Sequence, residues 1–260
     1  MSEYKYVLYS VNERVAQIKL NRSDKRNALN EEMVSELKQC FALAFADEDV
    51  KVIKLTAAGE VFCAGADLAY LQQLQKNTYQ ENLEDSRHLM ELFKMIYEGP
   101  KMVIAVVQGA AIAGGCGLAS VCDIVFSDDQ AKFGYTEVKI GFAPAIVSVY
   151  LMRKIGESNA KRLLLTGELI TASTAQHMQL IHYICEAEEL EQKAQQYCEK
   201  IIRSCSADSI ALTKQMIATL QDLPYQEGFN KAAEINAKAR ETEDCKKGIA
   251  AFLNKEKLTW

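Results

Sequence analysis

Glu137 is the residue with the clearest chemical use in this chain. It lies in a largely apolar run, residues 133–144 (FGYTEVKIGFAP). Burial there would raise its pKa toward the working pH, as a general acid/base requires. A solvent-facing strand edge with Glu137 paired to Lys139 fits the same residues. A second segment, 108–117 (QGAAIAGGCG), carries four glycines that permit unusual φ values and close backbone approach. A helix starting near Gly115 would gather free N–H groups and the positive end of its dipole at one point, which suits a developing oxyanion. Close helix packing explains those glycines equally well. The third segment is 61–68 (VFCAGADL), where a small-Gly-small turn before Asp67 lets a backbone N–H face outward with no bulky Cβ in the way. An ordinary strand-to-helix turn capped by Asp67 is the alternative.

The elements that must position these segments read as strands alternating with helices. Val15–Leu20 (VAQIKL) alternates apolar and polar residues and is expected as a half-buried strand. Asn30 can cap a helix whose apolar residues Met33, Val34, Leu37, Phe41 and Phe45 recur at helical spacing. Residues 52–56 read as a strand, and Met102–Val107 as a buried one because it is apolar throughout. Residues 111–121 fit a tight turn entering a buried helix, 82–97 a helix, and 124–126 and 138–140 short strands. From about Leu190 onward the pattern is helical: 191–204, 208–220 and an unbroken 225–254. The fold class is α/β, with a core over residues 1–200 and a helical region over 201–260.

Composition narrows the partners. The chain has 260 residues and a formal net charge of −5 with no long basic run, which disfavours nucleic acid. No apolar run is long enough to span a bilayer, so no membrane partner is expected. The first ten residues lack the pattern of a secretory signal or transit peptide, and the eight cysteines form no C-x-x-C pair. Reduced core cysteines and a cytoplasmic location are expected.

Together, and in this order, the segments resemble the crotonase (enoyl-CoA hydratase/isomerase) superfamily over essentially the whole chain. The match runs from NRSDKRNALN (21–30) through FCAGADL, GGCGLASVCDIVF, the TEVKIG segment and LLLTGELITASTAQ to KGIAAFLNK near the C-terminus. The resemblance implies a ClpP-like spiral of ββα units with a helical C-terminal trimerisation region, giving a homotrimer or a hexamer. It implies that the backbone amides of Ala66 and Gly114 hold the thioester oxygen of an acyl-CoA while Glu137 moves protons. Lys25, Ala64, Gly65, Asp67, Leu68 and Gly117 match positions near the ligand, and Phe252 and Lys255 match tail positions that reach CoA. The acyl-CoA is the substrate; no metal or other cofactor is implied. His88, His177 and His182 match no catalytic position.

The chain departs from the family pattern in ways that bear on the reaction. Standard hydratases carry two glutamates, and the first of these positions is Gly117 here, 20 residues before Glu137. Ser23 replaces a proline, 144–147 (PAIV) replaces a glycine-rich run, and Gln179 replaces a common glycine. The combination is similar to bacterial methylglutaconyl-CoA hydratase-like members, acting in leucine or isoprenoid breakdown. A substrate of that kind carries a distal carboxylate, for which Arg87 is a candidate partner. A Δ3,Δ2-enoyl-CoA isomerase needs only one carboxylate and is the nearest alternative. A CoA-binding or assembly protein without catalysis is the alternative of another class.

Overall fold

The computed structural model describes residues 4–260. The expected strands form. β1 (Val7–Asn12) runs antiparallel to β2 (Val15–Leu20). Then β3 (Val52–Ala57), β4 (Met102–Val107), β6 (Ile124–Asp128) and β9 (Tyr183–Cys185) continue a six-stranded sheet, each parallel to its predecessor. A smaller three-stranded sheet joins β5 (Ala111–Ile112), β7 (Lys132–Gly134) and β8 (Leu169–Thr171). β4 in the large sheet is followed by β5 in the small one and then by helix α4 (Gly114–Ser120). β6, β7 and helix α5 (Ala145–Thr166) repeat that order. Each such turn lays one strand in each sheet and closes with a helix, which is the expected ββα spiral.

Helix α1 (Glu31–Ala46) begins where Asn30 accepts the Met33 amide at 2.9 Å, and its apolar stripe buries Met33, Val34, Leu37 and Phe41 against the large sheet. Helices α2 (Leu68–Leu74) and α3 (Tyr79–Glu98) follow, α3 opening on a reciprocal Thr78/Glu81 cap. After α5, helix α6 (Ala172–His177) leads to β9. Gln179 takes φ 64°, a left-handed conformation that a glycine adopts without strain and a side chain does not.

Helix α7 (Ala187–Ser204) runs through position 200 and lays Leu190, Ala194, Cys198 and Ile201 on the outer face of the sheet. Lys54 and Lys51 reach up from β3 and its edge to Gln195 and to the Ile202 carbonyl of α7. Beyond it lie α8 (Ala207–Leu220), α9 (Tyr225–Ala239) and α10 (Glu243–Leu253).

Two local expectations are corrected. Residues 138–140 are not a strand: Glu137–Ile140 is a 3-10 turn, closed by Gly141 at φ 77° and by the Phe142 amide on the Glu137 carbonyl. Valine and isoleucine there mimic strand composition, but the glycine permits the chain to curl. The unbroken helix over 225–254 is two helices, because Thr242 turns extended and caps α10 by accepting the Cys245 amide. A mid-helix threonine competing for the backbone is a local signal that apolar periodicity does not register.

The Asn30 cap ties α1 to the loop that carries the site. Asn30→Ala is expected to cost about 1 kcal/mol, read as a lower urea midpoint with an unchanged m-value.

Candidate active site

The site begins with a loop held on both sides. Residues 63–67 lie between the 26–29 segment and the 110–112 segment. Ala64 N donates to Arg26 O, Leu29 N to Gly65 O and Asp67 N to Leu29 O, at 3.0, 2.7 and 2.8 Å. On the other side Cys63 N donates to Ala110 O and Ile112 N to Cys63 O, at 3.2 and 2.9 Å. In the parallel bridge between Leu29 and Ala66, the flanking residues make the bonds. The Ala66 amide therefore points away from Leu29 and finds no acceptor among the described residues.

The second amide is that of Gly114, the first residue of α4. Ala113 precedes it at φ 52°, ψ −125°, a conformation that disfavours any side chain, and donates its own N–H to Gly134 O at 2.8 Å. This turn leaves the Gly114 N–H without an acceptor among the described residues. Gly65, at φ 90°, is what lets the loops approach. A Cβ there would lie 2.9 Å from Ala113 Cβ and 3.7 Å from Gly114 N. Two undonated amides thus sit on adjoining strands of backbone, an arrangement suited to one oxyanion.

Glu137 reaches this place through β7. Gly134 binds Ala113, and Glu137 follows three residues later at the head of its 3-10 turn. Its Oε2 atom is buried and has no hydrogen-bond partner among the described residues. Burial raises the Glu137 pKa above the ordinary carboxylate value. The pairing with Lys139 that the sequence left open is not formed at that oxygen. Cys116, in the first turn of α4, is a buried thiol pushed up to about 12, chiefly by desolvation and in part by the charge of Glu137. Behind it Tyr135 is fully buried with its hydroxyl on Ser120 Oγ at 3.3 Å.

Gly117 explains the missing carboxylate. It is buried one turn along α4 from Gly114. A Cβ added there would overlap Val147 Cγ1 of α5 and lie 3.0 Å from Phe93 Cε2 of α3. Sequence grouped Gly117 with ligand-contacting positions; in the structure it packs against side chains, and its N–H is taken by Ala113 O at 3.0 Å. Val147 and Phe93 were not singled out from the sequence, since two apolar residues on separate helices carry no local mark.

The other candidates divide. Lys25 is exposed at the end of the Ser23–Lys25 turn, brought to the 64–68 loop by the Ala64–Arg26 bond. Gly65 is buried, Ala64 half-buried, and Leu68 is 79% exposed at the start of α2. The Asp67 carboxylate is used inside the chain, accepting Ala69 N and Tyr70 N and pairing with Arg22 Nη1 at 2.8 Å. Burial alone would raise its pKa, but the Tyr70 amide and the Arg22 guanidinium hold it below the ordinary value. Phe252 is 83% exposed near the end of α10, and Lys255 lies just beyond at φ 57°. Arg87 is exposed on α3, while its neighbour His88 lies within hydrogen-bond distance of Ser35 Oγ, at 3.0 Å. His182 accepts the Val125 amide through Nδ1, and burial lowers its pKa to about 4. Asn27, not singled out from the sequence, is fully buried and donates to Ala58 O and Val61 O at 2.8 Å each.

The sequence profile of the enoyl-CoA hydratase/isomerase family matches residues 10–260. The chain belongs to this family. It is 42% identical over 241 residues to a Thermus thermophilus protein provisionally named an enoyl-CoA hydratase, covering 93% of this chain and 95% of that one. It is 33% identical over 248 residues to the (E)-benzylidenesuccinyl-CoA hydratase of Thauera aromatica, covering 95% of each. The crystal structure of an enoyl-CoA hydratase from Shewanella pealeana superimposes with a TM-score of 0.93 at 34% identity, over 99% of this chain and 97% of that chain. As an enzyme of the enoyl-CoA hydratase/isomerase family, the chain has the mixed α/β crotonase fold. No helix among the described residues is long and apolar enough to cross a membrane.

Because Gly117 faces Val147 and Phe93, Gly117→Ala is expected to destabilise the enzyme by about 1–3 kcal/mol through overpacking. Val147→Ala placed in the same chain should recover part of that loss. Thermal melts of the two single variants and the double variant measure the coupling.

Proposed function

We propose that this enzyme adds water across the double bond of an enoyl-CoA, with Glu137 as its one carboxylate acid/base. The observation that carries the reading is the buried Glu137 Oε2, without a partner among the described residues, in the same corner of the fold as the amides of Ala66 and Gly114, which have no acceptor among those residues. In this reading the thioester oxygen accepts both amides. Water attack at Cβ, with Glu137 taking the water proton, pushes the electron pair onto that oxygen as an enolate. Two preorganised donors stabilise this charge, each worth about 3–4 kcal/mol in comparable sites. Glu137 then returns the proton to Cα, so that the elements of water end on adjacent carbons.

For the substrate we favour 3-methylglutaconyl-CoA, of leucine or isoprenoid catabolism. The relative named (E)-benzylidenesuccinyl-CoA hydratase supports an acyl group with a second carboxylate. Arg87 does not support it, since it stands on the exposed face of α3. The tail supports assembly into a homotrimer or hexamer. Helix α9 buries none of its residues and leaves Tyr225 and Phe229 81% and 58% exposed, as a face covered by another subunit would. A cytoplasmic location is part of the same proposal.

A Δ3,Δ2-enoyl-CoA isomerase is the second reading. The specific observation in its favour is the closed space at Gly117, which leaves one carboxylate for a proton to leave Cα and return at Cγ. Mass analysis of products from 3-methylglutaconyl-CoA, crotonyl-CoA and a 3-enoyl-CoA separates the two. Gain of one water supports the hydratase; conversion of the 3-enoyl-CoA without mass change, and no hydration, replaces it with the isomerase.

Glu137→Gln is expected to lower kcat by about 10²-fold or more while thioester binding survives. Unchanged turnover would leave the non-catalytic, CoA-binding reading in its place. The same change should raise the melting temperature at pH 7. The native carboxyl holds its proton to higher pH than the unfolded one, so the folded state binds more protons in that window. Stability then falls as pH rises from the ordinary glutamate range through the raised value. The acid limb of kcat/KM for hydration should lie above that ordinary range and disappear in the variant.

A further inference from the structure

We propose that Arg22 is a positioning residue for the Ala66 amide, acting through Asp67. The inference rests on the reading in which that amide binds a thioester oxygen. Arg22 and Asp67 form a pair at 2.8 Å with side chains only 12% and 9% exposed, so solvent screens little of the attraction. The guanidinium is fixed from three directions. Nη1 also donates to Ala28 O at 3.0 Å, and the planar group lies 4.9 Å from the centre of the Tyr6 ring. At its root the Arg22 amide donates to Asn27 Oδ1 at 2.9 Å, and Asn27 is held by the Ala58 and Val61 carbonyls.

Asp67 is the residue directly after Ala66, and it transmits that fixity. Its Oδ1 accepts Ala69 N and Tyr70 N, its Oδ2 meets Arg22, and its amide donates to Leu29 O. Ala66 has no side-chain anchor of its own. Its bridge to Leu29 is isolated, its methyl group is exposed, and the residue before it is Gly65 at φ 90°. The Gly65–Ala66 peptide plane contains the N–H in question, and its carbonyl accepts the Leu29 amide at 2.7 Å. Arg22 braces both sides of that contact, holding Ala28 O next to Leu29 and the Asp67 carboxylate next to Ala66. A lysine could keep one contact to Asp67 but would not place a planar guanidinium over the Tyr6 ring.

The experiment uses Arg22→Gln and Arg22→Lys in the full chain. Steady-state kinetics is run on whichever enoyl-CoA the wild type turns over. Cinnamoyl-CoA absorbance is read in a Glu137→Gln background, where polarisation of the thioester carbonyl shifts the band of the bound molecule to the red. For Arg22→Gln, kcat should fall about 10–100-fold, the scale of a misplaced reacting group, with KM within about threefold. The red shift of bound cinnamoyl-CoA should shrink. Arg22→Lys should recover part of both. A merely structural arginine would lower the melting temperature and leave the kcat/KM division and the red shift of the folded fraction unchanged, and that result overturns the proposal. Should Arg22→Gln not accumulate folded, Asp67→Asn carries the same expectations and the same refutation. A wild type that neither shifts cinnamoyl-CoA nor turns over any enoyl-CoA refutes the thioester reading itself, and the role of Arg22 falls with it.

Discussion

Two backbone N–H groups without partners among the described residues, side by side, are the constraint around which the rest of the structure is arranged. A peptide amide has its hydrogen bond in almost every folded environment. Here the Cys63–Asp67 stretch bonds on one side to residues 26–29 and on the other to 110–112, and the Ala66 amide is left between them. Gly114 is left over for a different reason, as the first residue of a helix entered through Ala113 in a strained conformation. The loops on either side of both amides are held by the backbone bonds of residues 63–67 and by Ala113 N on Gly134 O.

Glu137 follows the same logic with a side chain. A carboxylate oxygen buried without a donor is unfavourable, and its pKa rises until the neutral form becomes accessible. Glu137 is held in that condition by a short 3-10 turn whose backbone bonds, not its side chain, fix it in place. Tyr135 and Cys116 fill the wall behind it without donating to Oε2. Stability is thereby given up for a carboxyl whose pKa lies above the ordinary value.

The closure at Gly117 shows how one residue's absence depends on two others. Val147 comes from α5 and Phe93 from α3, and only the packing of those helices over α4 brings them onto the glycine. A side chain at 117 meets Val147 and Phe93 and needs both to shift. The space beside Gly117 is thus set by packing from two further helices.

The sequence by itself determined the strands β2, β3 and β4, the Asn30 cap, the strand-to-helix alternation and the three chemical segments. Each depends on information contained within a few residues: an alternation, a capping side chain, a cluster of glycines. Order and spacing of the motifs determined the family. Tertiary structure alone decided that Asp67 is a partner of Arg22, that Gly117 is a packing site and that Oε2 of Glu137 is without a donor. These facts depend on residues 24 to 45 positions apart in the case of Gly117 with its neighbours and of Arg22–Asp67, or on the whole surroundings of one atom. The misread turn at Glu137–Ile140 has the same origin, because strand composition in a three-residue window cannot report that a left-handed glycine follows and that no neighbouring strand is there to pair. Local pattern specifies which backbone is available; which amide stays unpaired is settled only when all the others have found their acceptors.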